Sequence, residues 1–92
     1  MSISLKKSLL ISNKLGLHAR AATKLAQLSQ KFDAKVTIEL EEKQADASSI
    51  MGLMLLAGGQ GKTVTIHTQG IEAQQALDNI CQLFSDKFDE DE

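Results

Sequence analysis

The chain has no tryptophan or tyrosine, only three phenylalanines and a single cysteine. So few aromatic rings leave base stacking almost nothing to work with, and the overall acidity adds to the case against nucleic-acid binding. Cys81 has no partner for an internal disulfide, which suits a reducing compartment. No apolar run approaches the roughly 20 residues that span a bilayer. The start, MSISLKKSLLISNK, lacks the long apolar stretch and small-residue cleavage site of a secretory leader. These absences lead us to expect a cytoplasmic protein that does not act in a membrane. Two histidines and one cysteine, all in separate elements, form no recognisable metal site, so neither metal nor cofactor is expected.

What is present supports a small folded unit. The 92 residues suit a single domain over 1–92, and a hydrophobic content of 42% is enough for a core. The net charge is only -2, but it is unevenly distributed. Residues 1–31 carry six basic residues and no acid, whereas residues 32–92 carry four basic and twelve acidic ones. The basic part would favour an anion or an acidic partner surface near His18. The competing expectation is that the segments interleave in space once folded.

Hydrophobic periodicity gives the element order. LKKSLLI (5–11) reads as a strand with imperfect alternation, and the positions Ala22, Leu25, Ala26, Leu28 and Phe32 recur at helical spacing from Ala19 to about Lys31. KVTIEL (35–40) alternates strictly, and EEKQADA holds a turn with a short further strand. SSIMGLMLLAGG (48–59) reads as a serine-capped helix stopped by glycines. KTVTIHT (62–68) is an alternating strand, with Thr63, Thr65 and His67 facing away from the core. Residues 71–84 form an amphipathic helix, and SDKFDEDE reads as a solvated acidic tail. Helices with one apolar stripe and strands with one apolar face predict an α+β fold, with helices on one side of an open, largely antiparallel sheet. GGQGKT (58–63) ends like a P-loop, but Leu56 stands where its first glycine is required. A helix also precedes it and a strand follows, the reverse of the P-loop order.

The stretch GLHARAA concentrates the chemistry. Gly16 permits a sharp turn and places His18 at or beside the N-cap of the helix starting near Ala19. The first N–H groups of that helix lack intrahelical partners and carry the positive end of its dipole, which makes a ready phosphate site. Small alanines keep the approach open, and Arg20 adds a permanent charge with donors suited to phosphate oxygens. The same field disfavours an imidazolium, leaving one ring nitrogen free to attack. Such an arrangement suits covalent phosphoryl transfer. With no nucleotide loop nearby, the phosphate would come from another protein rather than from ATP. The plainer reading makes His18 a helix cap and Arg20 a solvated charge. Ser48 or Ser49 would likewise cap the second helix. Ile50, Met51 and Met54 offer more apolar surface than a short helix easily buries, and methionine suits docking to more than one partner. Either Ile50 or Leu53 should be core, with Met51 and Met54 partly exposed.

GLHARAA followed by SIMGLMLL resembles the HPr family, the histidine-containing phosphocarriers of bacterial phosphotransferase systems. SNKLGLHARAATKLA and the ending FDEDE are most similar to the nitrogen-related branch, NPr. The likeness covers nearly the whole chain. It implies an open-faced sandwich, with a four-stranded antiparallel sheet and three helices on one face. It implies a carrier rather than an enzyme, in which His18 takes a phosphoryl group on Nδ1 from a phosphoenolpyruvate-dependent enzyme I and passes it to a histidine of an enzyme IIA. Arg20 matches the arginine that helps hold the group. Ser49 matches a serine phosphorylated in some members, and Leu17, Ile50, Met51 and Met54 fall on the partner-binding surface. Ala21 stands where many members have proline. A monomer is expected, since a relay needs an open face and brief contacts. The alternatives are a carrier in sugar uptake and a binding module switched by phosphorylation.

Overall fold

The computed structural model describes residues 3–56 and 58–90. In chain order it runs β1 (Ile3–Leu10), α1 (Ala19–Ser29), β2 (Lys35–Leu40), β3 (Lys43–Asp46), α2 (Ile50–Leu55), β4 (Thr63–Gly70) and α3 (Ala73–Ser85), followed by one turn over Lys87–Asp89. The four strands form one antiparallel sheet in the order β1-β4-β2-β3. This is the open-faced α+β arrangement, with three helices against one side of the sheet.

Strand register explains the two faces. Ile38 lies opposite Ile66 and Ala45, and Leu9 opposite Val64, so their side chains meet on the helix side. There they join Leu25, Leu53, Ile80 and Phe84 in one buried core. The opposite face carries the rows Lys6–His67–Thr37–Asp46 and Ser8–Thr65–Glu39–Gln44. His67 bonds Glu39 there at 2.7 Å, as a half-exposed surface pair. The alternation of β1 is imperfect because Lys7, opposite Ile66, occupies a position on the apolar side. At this sheet edge it lines a cleft with Cys81 and Asp78 of α3, where its stem can cover apolar surface while its ammonium reaches water. Cys81 is half-buried against the core, and that burial pushes its thiol pKa up.

The short serine-capped helix expected within 48–59 runs from Ile50 to Leu55, with Ser49 as its cap, whose Oγ accepts the Gly52 N–H at 3.0 Å; Ala57 lies outside the described residues. One expectation needs correction. The ending is not a solvated tail up to Glu90. Phe88 is fully buried and meets the Phe84 ring edge-on at 4.8 Å. The turn that places it has positive φ at three successive non-glycine residues, 56° at Lys87, 55° at Phe88 and 62° at Asp89. Each such residue costs about 1–2 kcal/mol, so burial and hydrogen bonding must hold the turn. Lys24 Nζ donates to the Phe88 carbonyl at 2.9 Å, and the Asp89 and Glu90 N–H groups bond back to Asp86 and Lys87 at 3.0 Å. Asp91 and Glu92 lie outside the described residues.

Candidate functional site

The loop before α1 is shaped by its own backbone. Asn13 is buried and donates to the Gly16 carbonyl at 2.8 Å, while the Gly16 N–H returns to the Asn13 carbonyl at 3.2 Å. Gly16 has φ +65°, and a Cβ there would stand 2.1 Å from the Gly58 carbonyl oxygen. The same oxygen accepts the Leu17 N–H at 2.8 Å. The glycines after α2 therefore do more than stop a helix. They let the chain approach the histidine loop backbone to backbone, and so join the surroundings of α2 to those of His18.

His18 is the N-cap of α1, with extended backbone at φ -73° and ψ 178°. Its carbonyl accepts the Ala22 N–H at 2.8 Å. The N–H groups of Ala19, Arg20 and Ala21 precede the first intrahelical bond and lie at the positive helix end. That of Arg20 points at His18 Nδ1, 3.3 Å away. Ala21 retains a backbone N–H that a proline would lack. The Arg20 side chain is exposed at the same end.

On its other side the ring meets the folded-back terminus. His18 Nε2 bonds Glu90 Oε2, and Asn13 Nδ2 donates to Glu90 Oε1 at 3.1 Å. Burial works to raise the Glu90 pKa, but the hydrogen bonds from Asn13 and His18, with the nearby charge of Arg20, outweigh it. The carboxyl is held below its ordinary range. An ionised carboxylate only accepts, so Nε2 must carry the proton. Nδ1 accepts from a backbone N–H, so it carries none. Both contacts select the same tautomer, with the bare lone pair on Nδ1. The ring keeps 25% of its side-chain surface exposed, so it remains reachable.

His18 and Arg20 lie at the same end of α1, where the backbone N–H of Arg20 meets the His18 ring. Met51 is 70% exposed, and Ile50 and Met54 are exposed beside it, whereas Leu53 is core. Leu17 requires a correction: it is 4% exposed, with its side chain in the core against the Gly58 backbone, so it offers no side-chain surface to a partner. Leu15, two residues before it, and Leu55, at the end of α2, are exposed large apolar residues. Ser49 Oγ is occupied in capping, and Ser48 instead bonds Asp46 Oδ1 through both its hydroxyl and its N–H. Those two bonds hold the Asp46 carboxyl pKa below its usual value against the opposing effect of burial, with Lys35 contributing. Sequence reading missed Asn13, Lys24 and Glu90. The one available signal was Phe88, an aromatic residue inside an otherwise acidic run. Among the described residues no group of His, Cys, Asp and Glu is arranged to hold a metal, and no helix is long and apolar enough to cross a membrane.

The comparisons place the whole chain. Residues 5–86 match the family described as PTS HPr component phosphorylation site. Phosphocarrier protein NPr from Shewanella violacea is 55% identical over 86 residues, covering 94% of both chains. Phosphocarrier protein HPr from Cupriavidus necator is 47% identical, covering 96% of this chain and 99% of its own. The crystal structure of HPr-C-His from Thermoanaerobacter tengcongensis superposes with a TM-score of 0.91 at 34% identity, covering 96% of this chain and 99% of that one. The match therefore runs through the strand order, the histidine loop and the helices together, and the chain belongs to the HPr family of phosphotransferase-system phosphocarrier proteins.

Proposed function

We propose that His18 accepts a phosphoryl group on Nδ1 from a phosphoenolpyruvate-dependent enzyme I and passes it to a histidine of an enzyme IIA. The observation that carries this reading is the position of Nδ1, which accepts the Arg20 N–H at the helix end, where an arriving phosphate would meet N–H groups and Arg20. As the phosphoryl group arrives, the Arg20 N–H can move from ring nitrogen to phosphate oxygen, and the guanidinium adds its charge. The exposed faces of Ile50, Met51 and Met54, with Leu15 and Leu55, form the surface on which donor and acceptor dock in turn, and a monomeric, cytoplasmic carrier suits such brief contacts. Similarity to the Shewanella NPr supports the nitrogen-related branch, with sugar uptake as the alternative. Ser49 acts as a cap, and the same hydroxyl is the candidate for regulatory phosphorylation.

The test is incubation with phosphoenolpyruvate and a cognate enzyme I, read by intact mass and acid treatment. One acid-labile phosphate, absent in His18→Ala, is expected. No phosphate on the wild type, with an enzyme I active on another carrier, would overturn the reading and leave His18 as a cap. The exposed apolar surface also suits a binding module switched by charge at His18. Rapid onward transfer favours the carrier, and a retained phosphate favours the switch.

A further inference from the structure

We infer that Glu90 is a positioning residue for His18: its carboxylate holds the Nε2 proton in place, presents Nδ1 as the nucleophile and faces the ring charge that phosphorylation creates. This rests on the carrier reading and adds to it a group on the far side of the ring from the helix.

The contact is built rather than incidental. Glu90 lies at the end of a segment anchored by the fully buried Phe88 and by Lys24, whose ammonium takes the Phe88 carbonyl at 2.9 Å and lies 3.5 Å from Asp89. Its other oxygen is fixed by buried Asn13, which also shapes the histidine loop. The side chain of Glu90 is 10% exposed. Three successive left-handed residues are tolerated to deliver it, and conformations of this kind gather where a side chain must be held in a particular place.

The chemistry gives that place a use. In transfer from a phosphohistidine donor, the Nδ1 lone pair forms the new N–P bond while the donor N–P bond breaks and its electron pair returns to the donor imidazole. His18 loses no proton in this step. Its ring becomes cationic, with the proton still on Nε2, where the carboxylate of Glu90 accepts it. A carboxylate so placed favours the reactive tautomer before the step and offsets the ring charge after it. The strap contacts Nε2 and not Nδ1, so it supports attack rather than blocking it.

The experiment pairs Glu90→Gln and Glu90→Ala with two readouts. Long-range proton–nitrogen NMR of unphosphorylated protein reports the His18 tautomer and the protection of its Nε2 proton. Rapid-quench kinetics with phosphorylated enzyme I reports the rate of phosphoryl acceptance. Glu90→Ala should lose the protected ring proton, and Glu90→Gln should keep part of that protection because its amide oxygen can still accept. Both, lacking the carboxylate charge, should accept phosphate about tenfold more slowly, the lower end of what losing a carboxylate partner costs a metal-bound imidazole. An unchanged or faster rate, whatever the ring signal does, overturns the proposal, and a faster one would mark the strap as a lid. If wild type accepts no phosphate, the carrier reading itself falls and this role falls with it. Equal rates in wild type and variants remove only the role of Glu90.

Discussion

Gly16→Ala is the most informative perturbation of the scaffold, because its cost can be separated into parts. An alanine at φ +65° pays about 1–2 kcal/mol for the left-handed backbone. Its Cβ would also lie 2.1 Å from the Gly58 carbonyl oxygen, a backbone atom that has no flexible side chain to yield. Relief requires the two loops to part, which strains or breaks the Leu17 N–H to Gly58 O bond, worth about 1–3 kcal/mol if its buried groups go unpaired. Alanine returns about 0.4–1 kcal/mol by restricting the unfolded chain. The expected net loss is about 2–4 kcal/mol, or a fall in Tm of about 10 °C or more at this chain length. Two other glycines supply the controls. Gly61 has φ +89° but nothing within 4 Å of an added Cβ, so Gly61→Ala should show the backbone cost alone, about 1 kcal/mol. Gly59 has neither constraint, and Gly59→Ala should be neutral within about 0.5 kcal/mol or slightly stabilising. Urea denaturation followed by far-UV circular dichroism, with m unchanged across the series, measures all three. If Gly16→Ala costs no more than Gly61→Ala, the backbone approach between the two loops does not hold the histidine loop, and the argument fails.

Ser49→Ala removes the acceptor of the Gly52 N–H and should cost about 1 kcal/mol in the same assay, whereas Ser49→Asp, which can still cap, should recover most of it. Ser48→Ala should raise the Asp46 carboxyl pKa toward its ordinary value, read by carbon-detected NMR titration. Because the folded-state pKa of Asp46 is depressed, its contribution to stability is present above the unfolded-state value and lost as pH falls through the folded-state one, so wild type should lose more stability on acidification than Ser48→Ala. Phe88→Ala should free the terminal segment rather than unfold the protein. Burial of the ring and its edge-on pairing supply about 2–4 kcal/mol, while release of the turn returns its backbone strain. A net loss of about 2 kcal/mol or less is expected, with rapid carboxypeptidase trimming as the sign of release. A core-like loss of about 3–5 kcal/mol without trimming would refute it.

The parts of the fold legible in the sequence were those set by local periodicity. KVTIEL alternates without fault, and β2 occupies those residues with Val36, Ile38 and Leu40 buried. The helix at His18 begins where the glycine turn and the histidine cap place it. Lys7 blurred β1, because an edge position lets a charged residue sit on the apolar side. The terminal segment was misread for a different reason. Left-handed turns normally announce themselves with glycine or asparagine, and Lys87, Phe88 and Asp89 carry no such mark. Only the tertiary surroundings, a buried slot beside Phe84 and the ammonium of Lys24, make that conformation favourable. Leu17 shows the same limit. It lies next to the candidate nucleophile His18, but its own side chain packs in the core against the Gly58 backbone.

The folded terminus also changes the meaning of the uneven charge. Read along the chain, a basic first third invites an external anion. In three dimensions Lys24 meets Asp89, and His18 meets Glu90, so the chain brings part of its own acidic end to that region. The two kinds of negative group are not competing for one place. Glu90 takes the Nε2 side of the ring, while the helix N–H groups and Arg20 lie on the Nδ1 side, where a phosphate would sit. A phosphorylated ring would then be a cation between two anions, stabilised by each of them, while the anions themselves repel. Opposed terms of that kind would keep a phosphoryl group bound without making it inert. A carrier needs this balance more than tight binding, because every kcal/mol that deepens its phosphorylated state must be recovered when the group moves on.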